Sequence, residues 1–281
     1  MSATIQTVRF NSAQYERDWR RLHHSIEQQL YPIFKKALTS QTDNVRDFVR
    51  NHPIADLASH LSVLVTKQPI ASAYNIAYQK AGVRGAEFSY NSIQRIGGRK
   101  GLSQQETKSE PVGFFSEYWR KLMALFYNTQ AAERVQGVTD TTKEQIQQLL
   151  ADAEEQGLTT SETATYIEEA LSDPDFNRMR ALRIARTEST TAANYGASLG
   201  NESADYLTAK LWIAVMDNNT RPDHVDANGQ QVDSGDFFLV GGYEALYPGD
   251  VSLPASETVN CRCIVAYVPL LSESGIPILK D

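Results

Sequence analysis

A change of hydrophobic period near residue 205 sets the strongest limit on what this chain can fold into. Before it, apolar residues recur at intervals of three and four; beyond it, they alternate. The first long series, Tyr15, Trp19, Leu22, Ile26, Leu30, Ile33 and Leu38, predicts an amphipathic helix opened by Asn11, with Gln14 three residues on. Pro32 either kinks that helix or starts a second one. A short helix is expected over 45–49. Pro53 then opens another with Ile54, Leu57, Leu61 and Leu64 on one face, and Pro69 opens one carrying Ile70, Tyr74, Ala77 and Ala81, weakened by Gly82 and Gly85. Phe115, Trp119, Leu122 and Phe126 give a further stripe of large core anchors.

Two Thr-x-x-Glu pairs, Thr141 with Glu144 and Thr159 with Glu162, predict capping boxes for successive helices joined by a hairpin at Gly157. Asp173-Pro174 opens the next helix, which ends in the Ala-rich run 191–196, where small residues permit close approach to a neighbour. Gly196-Ala197-Ser198-Leu199-Gly200 has the spacing of a nucleophile elbow, but a helix precedes it where that elbow needs a strand. From residue 205 Leu211, Ile213 and Val215 alternate with Trp212 and Ala214. Segments 237–240 and 263–268 read as further strands, and Asn228-Gly229 predicts a type I′ turn between short strands. Residues 1–10 lack helical spacing and read as an extended arm. The fold class is therefore α+β. A mostly helical region, residues 1–138, precedes a small α+β domain with a short antiparallel sheet, residues 139–281.

Charge divides at the same place. Residues 1–138 hold 18 Lys and Arg against 11 Asp and Glu, a net of +7, whereas residues 139–281 hold 9 against 23, a net of -14. The acidic part repels phosphate backbones, while the basic part suits nucleic acid or an acidic protein surface. Segment 97–111 is almost devoid of apolar residues, and its Arg99-Lys100 pair is the candidate contact to such a partner. No P-loop pattern occurs. The first ten residues have no signal-peptide run and no segment approaches 18 uninterrupted apolar residues, so the expectation is a protein that stays in the cytoplasm where it is made, with no membrane partner.

Residue types able to do chemistry gather in 212–263, which holds both cysteines and the only histidine beyond residue 60. Cysteines at i and i+2 are poorly placed to bridge each other. On a strand, however, Cys261 and Cys263 face the same way, and His224 can join them as a third metal ligand. A structural Zn²⁺ wants a fourth, for which Asp217, Asp223 and Asp226 are candidates; with water instead, the site would be of the catalytic type. The other reading is two reduced thiols and a histidine bonded to a loop carbonyl. His23, His24, His52 and His60 have no ligand spacing and read as surface or packing residues. Arg221 and Arg262 are expected to lock loops through bidentate bonds to carboxylates such as Glu188 or Asp217.

Taken in order, Arg186-Thr187-Glu188 on a helix, then Trp212, Asp217, Thr220, Arg221 and His224, then Gly229, and finally Asn260-Cys261-Arg262-Cys263, resemble the phage Mu F-like minor head protein family, also called the phage head morphogenesis domain. The resemblance covers roughly residues 140–268. Asn219 departs from the charged residue expected before Thr220, and Asn-Gly stands where Asp-Gly is expected. The resemblance implies a minor capsid protein bound at or near the portal inside the head, acting in head assembly, DNA packaging or DNA ejection. Its implied partners are the portal protein, other head proteins and packaged DNA, and its implied location is the virion, after assembly in the host cytoplasm. The competing reading is a toxin-type enzyme, a nuclease or ADP-ribosyltransferase using Glu188, Arg221 and His224. Against it stand a single histidine in the domain, no carboxylate cluster for Mg²⁺ and no Gly-rich cradle.

Overall fold

The computed structural model describes residues 6–98 and 110–280; Arg99 and Lys100 lie outside them. The helices are α1 (Ser12–Asn51), α2 (Leu57–Leu64), α3 (Gln68–Ile96), α4 (Glu110–Gln130), α5 (Ala132–Glu155), α6 (Thr160–Ser172) and α7 (Arg178–Ser203). After α7 come β1 (Thr208–Ile213), a short α8 (Pro222–Ala227), β2 (Gln231–Asp233), β3 (Phe238–Val240), β4 (Tyr243–Ala245), a one-turn α9 (Ala255–Thr258) and β5 (Ile264–Pro269). The α+β class, helical first and with a small antiparallel sheet near the C-terminal end, is as the sequence predicts. No described helix is long and apolar enough to cross a membrane.

Local signals succeed where the chain has no competing pattern. The Gln14 amide donates to Asn11 Oδ1 at 3.0 Å, which caps α1. Thr159 and Glu162 form a reciprocal capping box at the start of α6. Thr141 does not cap: it lies inside α5 and donates to the Gly137 carbonyl at 2.9 Å. The reason is upstream, where Val135, Thr139, Thr142 and Ile146 are buried at helical spacing and carry the helix straight through. Pro32 likewise sits inside one continuous α1, because Leu30, Phe34 and Leu38 on either side of it are buried and hold that face together. Asn228 keeps a negative φ of -61° while Gly229 takes +84°, so their turn is of type II, linking α8 to β2, and not the type I′ hairpin.

The chain forms two compact units from non-contiguous segments, 1–28, 77–125 and 186–281 in one, and 29–76 and 126–185 in the other. Residue 138, where the charge changes sign, lies within α5. The second unit has an apolar core of Val45, Phe48, Leu57, Leu61, Ile146, Ile167 and Leu171, drawn from α1, α2, α5 and α6.

In the first unit the antiparallel sheet has the order β2-β1-β5, with Trp212 opposite Val265 and Ile213 opposite Ile264. A separate pair joins β3 to β4. The N-terminal arm packs on its own unit: Val8 donates to the Pro269 carbonyl, and Leu271 donates back to Gln6, both at 3.0 Å. Phe88 of α3 meets Tyr15 and Trp19 of α1 edge to face at 5.1 and 5.3 Å.

Gly82 and Gly85, which weaken α3 by propensity, are where α7 crosses it. A Cβ on Gly196 would lie 1.9 Å from the Gly82 carbonyl oxygen, and one on Gly85 would lie 2.1 Å from that of Ala193. The glycines therefore cost helix propensity and gain backbone-to-backbone packing. Gly196→Ala is expected to destabilise the protein by about 1–3 kcal/mol through overpacking. Gly137→Ala, on an exposed turn of α5 with open space at its Cβ, should instead stabilise by about 0.5–1 kcal/mol. Chemical denaturation of the two variants checks the contrast in sign.

Candidate functional site

The site is built on one face of α7. Thr187, Thr190, Thr191 and Asn194 recur at i, i+3, i+4 and i+7, and all are buried. Such a polar stripe is tolerated inside a protein only when its groups are hydrogen-bonded. Thr187 Oγ1 accepts from the Asn260 amide at 3.0 Å, and the Thr190 hydroxyl donates to the Cys261 carbonyl at 2.6 Å. Thr191 donates to the Gly249 carbonyl at 2.9 Å. Asn194 donates to the Pro248 and Cys263 carbonyls at 3.1 and 3.0 Å and accepts from the Val265 amide at 3.0 Å. The helix thereby fixes the lead-in to β5, in which Asn260 takes a left-handed φ of 58°.

His23 of α1 meets the same face. Its Nε2 lies 2.9 Å from Ser189 Oγ and 3.0 Å from Thr190 Oγ1. Both hydroxyl protons already go to carbonyls, of Arg186 and Cys261, so the imidazole is the donor. Burial lowers its pKa from 6.5 to about 4.

Arg262 forms the bidentate lock: its two Nη atoms reach the Asp217 carboxylate at 2.5 and 2.7 Å. The hydrogen bonds from Arg262, with help from the Asn219 amide, hold the Asp217 carboxyl well below the usual range. Thr220 closes the same turn, its hydroxyl donating to the Val215 carbonyl and its amide donating to the Asp217 carbonyl at 3.0 Å. Arg221 behaves differently from its expectation. It donates to the Val259 carbonyl at 2.5 Å, while Glu188 accepts from the Tyr78 hydroxyl at 2.9 Å inside the unit. Glu188 on α7 faces α3, so it is not the partner of Arg221. Arg186 pairs with Glu27 at 3.0 Å.

His224, Cys261 and Cys263 do come together. One ligand atom from each lies within 4.8 Å of the other two, the sole cluster of this kind among the described residues. His224 comes from α8, which Pro222 starts at its first position. The two cysteines lie in the irregular lead-in just before β5, not on the strand. His224 Nδ1 is 3.2 Å from Cys263 Sγ and 3.7 Å from Cys261 Sγ. None of the three aspartates offered as a fourth ligand joins the cluster: Asp217 is held by Arg262, and Asp223 and Asp226 are exposed on α8.

Glu257 of α9, which the sequence reading missed, accepts from His224 Nε2 at 3.1 Å. It is only 7% exposed, yet in sequence it stands in a Ser, Pro and Glu stretch typical of a solvated turn. Trp212 of β1 packs edge to face on the His224 ring at 5.8 Å. Burial opposes charge on His224, but its hydrogen bond to Cys261 prevails and raises its pKa. The Cys261 thiol is drawn down, chiefly by its hydrogen bond to Cys263 against the opposing effect of burial, and the Cys263 thiol is pushed up.

Residues 144–266 match the family described as "Phage Mu protein F like protein". The chain is 35% identical over 111 residues to the "NAD(+)--arginine ADP-ribosyltransferase EFV" of Enterococcus faecalis, which covers 38% of this chain and 22% of that protein. It is 29% identical over 132 residues to the "Uncharacterized protein YqbB" of Bacillus subtilis, covering 45% of this chain and 42% of that protein. The chain thus spans about a fifth and about two fifths of the length of these curated relatives. No solved structure matches it significantly.

Two outcomes are expected from this geometry. Asn194→Ala leaves the Val265 amide buried without its acceptor and should cost about 2–3 kcal/mol in denaturant melts. For His23 the folded pKa lies below the unfolded one, so the unfolded chain binds the extra proton first. Stability is then full above about pH 6.5 and falls by about 2–3 kcal/mol as pH drops toward 4. Urea melts across that window should show the slope, reduced in His23→Gln.

Proposed function

With a phage Mu F-like domain at residues 144–266, we propose that this chain is a minor protein of a phage head, held at or near the portal inside the capsid and acting in head assembly, DNA packaging or DNA ejection. The observation that carries the reading is the joint placement of the family motifs. Asp217, Thr220, Arg221 and Arg262 fasten the loops around β1 and β5, and Thr187 of the Arg-Thr-Glu helix fastens Asn260. Arginine-to-carboxylate and arginine-to-carbonyl bonds of this kind build a rigid module for assembly.

The division of labour follows charge. The basic region, residues 1–138, is the part suited to packaged DNA or an acidic portal surface, with Arg99 and Lys100 as contact residues, and the acidic domain, residues 139–281, is the head-morphogenesis module. Zinc is the cofactor that suits the His224, Cys261 and Cys263 cluster.

The toxin-type reading is weaker on the same geometry. Glu188 is 3% exposed and bonded to Tyr78, so it does not present its charge to a substrate, and Arg221 gives a hydrogen bond to a backbone carbonyl. The relative named as an ADP-ribosyltransferase is matched over too little of its length to lend its activity.

The test is physical location. In a lysate of the phage that encodes the chain, mass spectrometry of purified particles should find it at low copy, and the purified protein should co-sediment with portal protein. Absence from particles together with failure to co-sediment would overturn the reading. Salt-dependent binding of DNA by the full-length protein, lost when Arg99 and Lys100 are changed to Ala, would separate a DNA-contacting role from that of a pure portal adaptor.

A further inference from the structure

Glu257 gives the cluster at His224 a polarity. By accepting from Nε2 at 3.1 Å, its carboxylate fixes the ring proton on that nitrogen and leaves the Nδ1 lone pair aimed between two sulfurs. Carboxylate behind, imidazole, then open lone pair is the arrangement that orients a metal-ligating histidine. His224, Cys261 and Cys263 are 2%, 2% and 3% exposed, so the set is sheltered from solvent.

Two further features suit thiolate sulfur. The Trp212 indole N–H is buried and makes no hydrogen bond of ordinary geometry among the described residues; the acceptor it faces is Cys263 Sγ. A narrow pocket of about 10 Å³, lined by Val215, Thr220, Arg221, Asn260 and the three clustered residues among others, adjoins the sulfurs. That is room for about one water-sized ligand.

A tetrahedral Zn²⁺, with bonds of about 2.3 Å to sulfur and about 2.0 Å to nitrogen, sets sulfur and nitrogen ligand atoms roughly 3.5 Å apart. The 3.2 and 3.7 Å separations here bracket that spacing. Soft thiolates and an imidazole favour zinc over the oxygen-seeking Mg²⁺ and Ca²⁺.

We propose that His224 Nδ1 and the thiolates of Cys261 and Cys263 hold one Zn²⁺, with Glu257 as the positioning residue behind the histidine and one solvent-sized position open on the Asn260 side. Three protein ligands with one solvent position are the coordination of a catalytic-type site, and the ion also acts as a clip. It ties α8 to the lead-in of β5, closing a loop of nearly forty residues that contains β2, β3 and β4. Binding converts two thiols to thiolates and releases two protons to solvent, so that the Zn(SR)₂ unit is neutral in its buried setting. This inference stands apart from the head-protein reading and survives its failure.

The test uses the full-length protein purified without chelator. Elemental analysis should give about one zinc per chain. Co²⁺ exchanged into the site should produce a sulfur-to-cobalt charge-transfer band and the visible bands of a tetrahedral ion. Cys261→Ser and Cys263→Ser should each abolish stoichiometric binding, and Glu257→Gln should retain one site while weakening it roughly 10–100-fold in competition with a chromophoric chelator. Should the cysteine variants fail to fold, the wild-type protein still decides: bound zinc must protect both thiols from a thiol reagent, and its removal must lower the melting temperature. No zinc, no cobalt spectrum and thiols equally reactive with and without added Zn²⁺ would overturn the site. Zinc that binds without changing the melting temperature would overturn its role as a clip.

Discussion

The buried polar face of α7 is the constraint on which the first unit depends. Thr187, Thr190, Thr191 and Asn194 can be buried only if each finds its partner, and those partners are backbone groups of residues 248–249 and 260–265. Because each unmade buried bond costs about 1–3 kcal/mol, these loops cannot shift one at a time. The helix serves as the template against which an otherwise irregular chain acquires one conformation, and its bond to the Val265 amide reaches into β5.

Much of this was legible beforehand. The change of period near residue 205 yields the helical and β parts, and the order of motifs from Arg186 to Cys263 points to the family whose description matches residues 144–266. What stayed hidden has physical causes. The spacing of Thr187, Thr190, Thr191 and Asn194 is that of a core stripe, but their side chains are polar, and a hydrophobic pattern cannot register burial driven by hydrogen bonds. Glu257 was invisible because a carboxylate in a turn reveals its partner only in three dimensions. Thr141 does not cap because its local signal is outweighed by the helix already running through it. The discontinuous units cannot be seen from composition, since their breaks fall inside α1, α3, α4 and α7, where the sequence is uninterrupted.

Residues that look chemically able in sequence are mostly spoken for in the fold. Glu188 is bonded to Tyr78, Arg221 to the Val259 carbonyl, Arg262 to Asp217 and Arg186 to Glu27. Tracing where each side chain goes leaves, among the described residues, the His224, Cys261 and Cys263 group as the one cluster placed to hold a metal ion. Even the buried Lys210 gives its ammonium to the Leu246 carbonyl and sits over the Phe238 ring, which leaves it a structural cation despite a pKa lowered by burial to about 8.

The Tyr15 hydroxyl donates to the Val265 carbonyl, 250 residues away along the chain. On a ribosome adding about 5–20 residues per second, roughly 12–50 s separate the emergence of these two groups. For that interval Tyr15 is made but the strand that accepts its hydroxyl is not, so the newborn N-terminal helix must be shielded or must wait. Completion of this unit therefore waits until β5 has been made, and any product cut short before β5 lacks the acceptor of the Tyr15 hydroxyl.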